Sequence, residues 1–203
     1  NAFSGNLVEI CPTGVFTDKP FSATYSRKWD LRGAPSVCVH CAVGCNTIVN
    51  AREETLRRVL NRYNTDINRY LLCDRGRFGH GFVNAPTRIR TPLRTIGGQQ
   101  APIPMADALT AFAHLAAQGR IVGIASSRAA LETCFSLHAL GGPQHFSTGQ
   151  TRQEQDCAEL AHALLTRHPG ALPTLHEMES AAAGLVLGEA VCATAPRLGL
   201  SLR

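Results

Sequence analysis

Four cysteines are spaced as ligands of a metal centre. Cys38, Cys41 and Cys45 follow the pattern C-x2-C-x3-C, and Cys73 comes after 27 intervening residues. A cubane [4Fe–4S] cluster needs four thiolates that approach from different directions, and a tight turn closed by a distant cysteine provides them. Gly44 allows the backbone to pass close to an inorganic sulfide. The spacing therefore predicts a [4Fe–4S] cluster on these four cysteines.

Zinc is the main competing metal for the same residues. Structural zinc sites usually combine two short ligand pairs, whereas here three cysteines share one turn and the fourth is distant. His40 lies inside the first C-x2-C turn, a position from which a side chain is expected to point away from the metal. Four unligated buried thiols are the remaining interpretation, and the long, specific pattern disfavours it.

Two further residues bear on redox chemistry. Cys11 is followed by Pro12, as the last ligand of a ferredoxin-type cluster often is, but no C-x2-C-x2-C run accompanies it. On spacing alone, Cys11 is either a plain thiol or a ligand whose partners precede Asn1. Arg75 follows Cys73 by two residues. A cation there would stabilise the reduced cluster, and ordinary helix-surface charge is the alternative.

The elements that would position these residues fall into a turn-rich start, 1–34, and a cysteine-rich unit, 35–95. No stable helix beyond a turn or two is expected in 1–34. The cysteine-rich unit should contain two short strands, a segment ambiguous between strand and helix, and a helix that delivers Cys73. These expected elements lie at 37–39, 46–49, 55–60 and 67–82.

From about residue 104 the pattern changes to helices alternating with strands. Helices are expected at 105–118, 127–140, 153–166, 175–179 and from 195 onward, and buried-type strands at 121–125 and 184–187. Strands separated by helices imply a parallel sheet in a three-layer α/β domain, of which only part is present. The predicted fold class is α/β with a small, irregular, β-rich [4Fe–4S] subdomain.

Composition and charge narrow the function classes. The chain has 44% hydrophobic and 17% charged residues and a net charge of +5. Ten arginines lie between Arg52 and Arg94, which suits a solvated or partner-facing surface. No RNA-binding or zinc-finger signature accompanies them, so no nucleic-acid partner is expected. No apolar run reaches 18 residues and no signal peptide is visible, so we expect no membrane insertion and thiolate ligands rather than disulfides.

A further signal is carried by seven stretches: residues 5–19, 27–30, 34–38, 71–79, 122–129, 175–179 and 185–189. These stretches resemble the large iron–sulfur subunit of bacterial NADH-quinone oxidoreductase, the respiratory complex I. The similarity covers essentially the whole chain. Because the chain begins at Asn1 and ends at Arg203 inside an expected helix, we interpret it as an internal fragment of such a protein.

The resemblance implies roles for the cysteines and for three parts of the chain. Cys11 would be the last ligand of a second [4Fe–4S] cluster on the electron path, whose other ligands lie upstream. The four cysteines would hold an additional cluster away from the main path. Residues 1–34 would end an upstream ferredoxin-like domain, and 35–95 would be a molybdopterin-oxidoreductase-type [4Fe–4S] subdomain. Residues 96–203 would begin a truncated α/β domain that has lost its molybdenum chemistry.

The resemblance also implies an activity, partners and a place in the cell. The parent complex transfers electrons from NADH to quinone and pumps protons, with NADH and flavin bound by another subunit. The partners would be other subunits of the peripheral arm, on the cytoplasmic side of the bacterial inner membrane. The fragment alone is not expected to be catalytic.

A molybdopterin enzyme such as a formate dehydrogenase is the second interpretation. Such enzymes need a cysteine, selenocysteine or serine metal ligand near residues 145–160. The only cysteine there is Cys157, which lies in an expected helix and is interpreted as a buried thiol. They commonly have a lysine where this chain has Arg75. Ser126-Ser127-Arg128 is compatible with a phosphate site but also with simple helix capping. A zinc or nucleic-acid-binding module is the third interpretation.

Overall fold

The cysteine-rich part and the alternating part of the chain fold as separate units. The structure, a computed structural model, describes residues 1–203 except the side chain of Ala171. The first unit combines 1–88 with 170–203, and the second comprises 89–169. The last segment packs with the cysteine-rich part instead of continuing the α/β part.

A three-stranded antiparallel sheet carries the ligand turn of the first unit. Its strands, in the order β1-β2-β3, are β1 (Arg32–Val37), β2 (Asn46–Arg52) and β3 (Thr55–Asn61). Glu53 and Glu54 have φ values of 50° and 61° and make the tight turn between β2 and β3. The ambiguous segment at 55–60 is therefore a strand, because β2 gives it a partner for its backbone.

Three short helices flank this sheet: α1 (Gly5–Ile10), α2 (Lys19–Ala23) and α3 (Asp74–Phe78). The helix expected at 67–82 is wrong in its first part, because residues 65–70 form turns and the helix begins only at Asp74, after the capping residue Cys73. A short 3-10 helix, Gly79–Val83, continues it. The buried Asn68 side chain accepts a hydrogen bond from Asn46 N and donates one to Asn46 O, which ties the turn to the start of β2.

The C-terminal segment of the first unit contains helices α7 (Leu175–Met178), α8 (Val191–Thr194) and α9 (Pro196–Ser201). The expected helices at 175–179 and after 195 are confirmed within a residue or two. The expected strand at 184–187 is wrong. Leu185 and Leu187 are 84% and 79% exposed, and no strand among the described residues pairs with this segment.

The second unit mixes helices with two small sheets. Strands β4 (Leu93–Ile96) and β5 (Gln99–Pro102) form a hairpin, and β6 (Gly123–Ile124) pairs in parallel with β7 (Phe146–Ser147). The helices are α4 (Met105–Gln118), α5 (Leu131–Gly141) and α6 (Arg152–Arg167). The helix expected at 127–140 begins four residues later, and the strand expected at 121–125 is reduced to two residues.

The hydrophobic core of the first unit lies around the cysteines. Its buried centre consists of Cys45, Val59 and Leu72. The partly buried residues that pack against this centre are Cys38, Val43, Val49 and Leu56. Within the described residues, no helix is long and apolar enough to cross a membrane.

Candidate metal centre

The turn between β1 and β2 brings three cysteines together. Cys38 N donates a hydrogen bond to Cys45 O at 2.8 Å, which closes the turn at its base. Gly44 has a φ of 63°, a left-handed conformation that favours glycine, and its N–H donates to Cys41 O at 3.4 Å. The expectation that Gly44 allows a tight wrap is thus matched by its backbone conformation.

Helix α3 delivers the fourth cysteine to the same place. Cys73 is the N-cap of α3, and its Sγ accepts a hydrogen bond from Gly76 N at 3.4 Å. A Cβ added at Gly76 would lie 3.2 Å from Cys38 Sγ. The first turn of α3 therefore lies directly against the ligand turn, and this close approach is possible because residue 76 has no side chain.

Burial and mutual repulsion act on the thiols at this site. Burial, with smaller contributions from the charges of Cys38, Cys41 and Cys73, raises the pKa of the Cys45 thiol to about 12. Burial also raises the pKa of Cys38, and Cys73 and Cys41 add to that effect. Cys38 and Cys45 therefore interact with the other two cysteines within one site, and a cationic centre bound there would offset the cost of ionising Cys38 and Cys45.

The donor set fits an iron–sulfur cluster. Cys45 and Cys73 are 3% and 4% exposed and lie in the apolar core, so the site excludes much of the surrounding water. Four thiolates on one cluster satisfy the ligand requirement of [4Fe–4S]. Among the described residues, no group of three or more His, Cys, Asp or Glu side chains is placed to hold a single metal ion, whereas in a [4Fe–4S] cluster each thiolate binds a different iron.

His40 lies beside the ligand turn. Its ring is half-buried and contacts Phe82 edge-on, with ring centroids 6.2 Å apart. A Cβ added at Gly79 would lie 2.7 Å from the His40 ring. The ring therefore occupies the space above Gly79, between the ligand turn and the residues that follow α3.

Arg75 lies on the exposed side of α3 and reaches the C-terminal segment. Its Nη2 donates to Thr194 O at 2.5 Å, just before α9. Although burial raises the pKa of Cys38, the positive charge of Arg75 lowers it slightly. The charge of Arg75 thus acts on one of the predicted ligands, and its role as a cation near a cluster stays a prediction.

Cys11 lies at the end of helix α1. The groups that change the pKa of its thiol include none of the other four cysteines. Backbone hydrogen bonding from Phe16 and a contact with the Thr13 hydroxyl lower the pKa of the Cys11 thiol to about 7. Its thiol is half-exposed. A thiol that ionises near neutral pH is a suitable metal ligand.

A contact between α1 and α3 was not predicted from the sequence. Arg77 is 4% exposed, and its Nη1 lies 2.5 Å from Glu9 Oε2 while its Nη2 donates to Asn6 Oδ1 at 3.1 Å. The Asp74 carboxylate accepts from the backbone N–H groups of Ser4 and Gly5. The sequence shows only a charged run after Cys73. Such a run does not indicate which residues its side chains pair with.

The C-terminal segment also supplies residues that sequence analysis missed. Arg197 in α9 is 3% exposed and donates to Ser201 Oγ at 2.6 Å and to Glu179 Oε1 at 2.7 Å. The other oxygen of Glu179 lies 2.9 Å from Arg69 Nη1. Arg69 and Arg77 of the basic span therefore have partners inside the unit. These two arginines do not belong to a purely solvated surface.

The three remaining cysteines and the segment considered as a phosphate site lie outside the four-cysteine group. Cys157 lies within α6 as predicted but is exposed rather than buried. Cys134 is half-buried and Cys192 is exposed. Ser126 Oγ accepts from Arg128 N in a turn, whereas the next helix begins at Leu131. Ser126 therefore does not cap that helix.

Comparison with known proteins identifies related chains. Residues 32–85 match the family described as Molybdopterin oxidoreductase Fe4S4 domain. Over 202 residues, the chain is 46% identical to NADH-quinone oxidoreductase, in each case the subunit designated G, of Salmonella typhimurium, Shewanella oneidensis and Escherichia coli K12. These matches cover 99% of this chain and 22% of each relative. They confirm the resemblance predicted from sequence, and the matched domain supports a [4Fe–4S] cluster.

Proposed function

We propose that this chain is an iron–sulfur electron-transfer part of NADH:quinone oxidoreductase and that Cys38, Cys41, Cys45 and Cys73 hold a [4Fe–4S] cluster. One observation carries this proposal. The ligand turn and the first turn of α3 meet in the buried core, within the segment that matches the Fe4S4 domain family. When bound, the cluster would accept and release one electron at a time, and Arg75 would favour its reduced state.

Cys11 is proposed as the last ligand of a second [4Fe–4S] cluster in the longer protein. Its half-exposed position at the end of α1 and its pKa of about 7 support a role as a thiolate ligand. The three other ligands would come from residues upstream of Asn1. This role would make 1–34 the end of a ferredoxin-like domain.

The activity of the whole protein is proposed from its relatives. Electrons would pass from NADH towards quinone, coupled to proton translocation, and this chain by itself would not catalyse the reaction. The name shared by the relatives supports this activity. Other subunits of the peripheral arm would be its partners, on the cytoplasmic side of the bacterial inner membrane.

Residues 96–203 are proposed as the start of a three-layer molybdopterin-oxidoreductase-like domain, and 35–95 as the cysteine-rich subdomain that precedes it. Parallel pairing of β6 with β7, connected by a segment that contains α5, supports this proposal. We expect no molybdenum, because the exposed Cys157 lies in the middle of α6 and not on a ligand loop.

Metal and sulfide analysis of anaerobically purified protein tests the cluster assignment. The intact protein should contain iron and acid-labile sulfide, and Cys73→Ser should lose the iron of one cluster. Cys157→Ser removes an exposed cysteine and is the matched control, with an unchanged iron content. Zinc without sulfide in the wild type, or full iron retention in Cys73→Ser, would refute the assignment. Retained molybdenum would favour a molybdopterin enzyme instead.

A further inference from the structure

Asn68 connects the two segments that carry the proposed ligands. It is fully buried, with 0% exposure. Its Oδ1 accepts a hydrogen bond from Asn46 N at 2.9 Å, and Asn46 is the residue directly after Cys45. Its backbone carbonyl accepts a hydrogen bond from Leu71 N at 2.9 Å, two residues before Cys73. One buried residue therefore contacts the chain next to Cys45 and also the chain that leads to Cys73.

The side-chain amide of Asn68 is inserted between the ends of two strands. Asn61, the last residue of β3, pairs with Thr47 of β2. The next pair in this register is Asn46 with Arg62, and Arg62 N donates to Asn46 O at 3.1 Å. In the opposite direction, Asn46 N donates to Asn68 Oδ1, and Asn68 Nδ2 donates to Arg62 O at 3.1 Å. The amide therefore replaces one hydrogen bond of the ladder with two, at the start of β2.

Neighbouring residues fix the orientation of this amide. Asn68 Nδ2 lies 2.6 Å from Asn61 Oδ1, and Asn61 Nδ2 donates to Arg69 O at 2.9 Å. A carboxamide offers an acceptor and a donor at a fixed separation, as the position between Asn46 N and Arg62 O requires. A buried polar group that has its partners favours one arrangement of the surrounding chain, because any other arrangement leaves the group unpaired. The Asn68 amide is thus held in one orientation.

We infer that Asn68 is a positioning residue for the four-cysteine centre, and that it fixes Cys45 relative to Cys73. This inference rests on the proposed function. A cluster binds its thiolates from defined directions, so the backbone beside each ligand has to be held in place. Loss of a residue that holds a metal ligand typically reduces metal affinity by about 10–100-fold. Removal of the Asn68 side chain breaks the link to Asn46 and leaves the backbone link to Leu71 in place.

The test is electron paramagnetic resonance of the intact, anaerobically purified protein after chemical reduction. The relevant signal is the one that disappears in Cys41→Ala. In Asn68→Ala we expect the g values of this signal to shift, because Cys45 is held less precisely, and a chelator to remove the signal about 10–100 times faster. Asn50→Ala is the matched control, because Asn50 is another buried asparagine of β2 and its Oδ1 accepts from Arg58 Nε. Its g values should equal those of the wild type.

The outcomes distinguish this inference from the function on which it rests. If the wild type has no signal that Cys41→Ala abolishes, the proposed cluster is wrong. If the signal exists but Asn68→Ala leaves its g values unchanged, the inference fails, since faster loss alone would reflect a loosened fold. An equal shift in Asn50→Ala also overturns it. If Asn68→Ala holds no cluster, Asn61→Ala decides, because it removes the side chain that orients the Asn68 amide. Unchanged g values in Asn61→Ala then overturn the inference, and shifted ones support it.

Discussion

Asn6 and Leu72 are joined by two hydrogen bonds that connect helix α1 to the residue before Cys73. Asn6 Nδ2 donates to Leu72 O at 2.9 Å, and Leu72 N donates to Asn6 Oδ1 at 3.0 Å. Asn6 is 6% exposed and Leu72 is fully buried. One amide side chain thus satisfies the backbone of the residue that precedes a proposed cluster ligand.

Asn6→Ala should destabilise the first unit by about 3 kcal/mol, because it leaves the buried N–H and C=O of Leu72 unpaired. Alanine is the better helix former, so a loss cannot come from the propensity of α1. Urea unfolding measures the difference. Gln153→Ala, an exposed substitution in α6, is the control and should change little. A loss below about 0.5 kcal/mol would mean that water replaces the two hydrogen bonds.

Asp74→Ala should destabilise α1 by about 1 kcal/mol, as does the loss of an ordinary helix cap. The Asp74 carboxylate accepts from Gly5 N at 2.7 Å and from Ser4 N at 3.1 Å. The N-cap Ser4 makes no side-chain capping hydrogen bond itself. Amide hydrogen exchange should therefore become faster at the start of α1. Unchanged exchange at Gly5 would contradict the capping role.

Gly76→Ala should reduce cluster incorporation, measured as iron and sulfide per chain. A Cβ at residue 76 would lie 2.9 Å from Leu72 Cδ1 and 3.2 Å from Cys38 Sγ, so it would push α3 away from the ligand turn. Overpacking of this kind costs about 1–3 kcal/mol. Gly81→Ala is the matched control, because nothing lies within 4 Å of a Cβ built there. Equal iron contents in the two variants would contradict the predicted crowding.

Glu179 should make the stability of the C-terminal segment depend on pH. Hydrogen bonding from Arg197, together with the charges of Arg197, Arg69 and His176, lowers the pKa of Glu179 from its ordinary value of 4.5. A depressed pKa contributes stability that is complete above about 4.5 and is lost as the pH falls through the folded-state pKa. The carboxylate form is thus the one that holds α9.

A comparison of the wild type with Glu179→Gln isolates this effect from the other carboxylates. Urea unfolding at a series of pH values from 6.5 downward should show the wild type as the more stable protein above pH 4.5. The difference should shrink below that pH, since the glutamine does not titrate. A difference that is constant with pH would assign the role of Glu179 to hydrogen bonding alone.

The proposed ligand set can be predicted from the sequence because three of its four cysteines are close together in the chain. A cluster requires thiolates at short, characteristic spacings, and Cys38, Cys41 and Cys45 lie within one turn of eight residues closed by a backbone hydrogen bond. Long periodic helices such as α4 and α6 are predictable for a similar reason, since their pattern repeats every turn. Short elements that depend on a distant partner are not, as the unformed strand at 184–187 shows.

Sequence by itself determined the chemical class of the centre, its four proposed ligands and the family resemblance. Only the tertiary structure decided which partners the buried arginines of the first unit have. Arg77 pairs with Glu9, and Arg197 with Glu179, across gaps of many residues. Pattern reasoning treats an arginine as a surface residue, because burying its charge is costly without a partner. Whether a partner is present depends on how α1 and α9 pack in the tertiary structure. The spacing of residues along the chain does not show that packing.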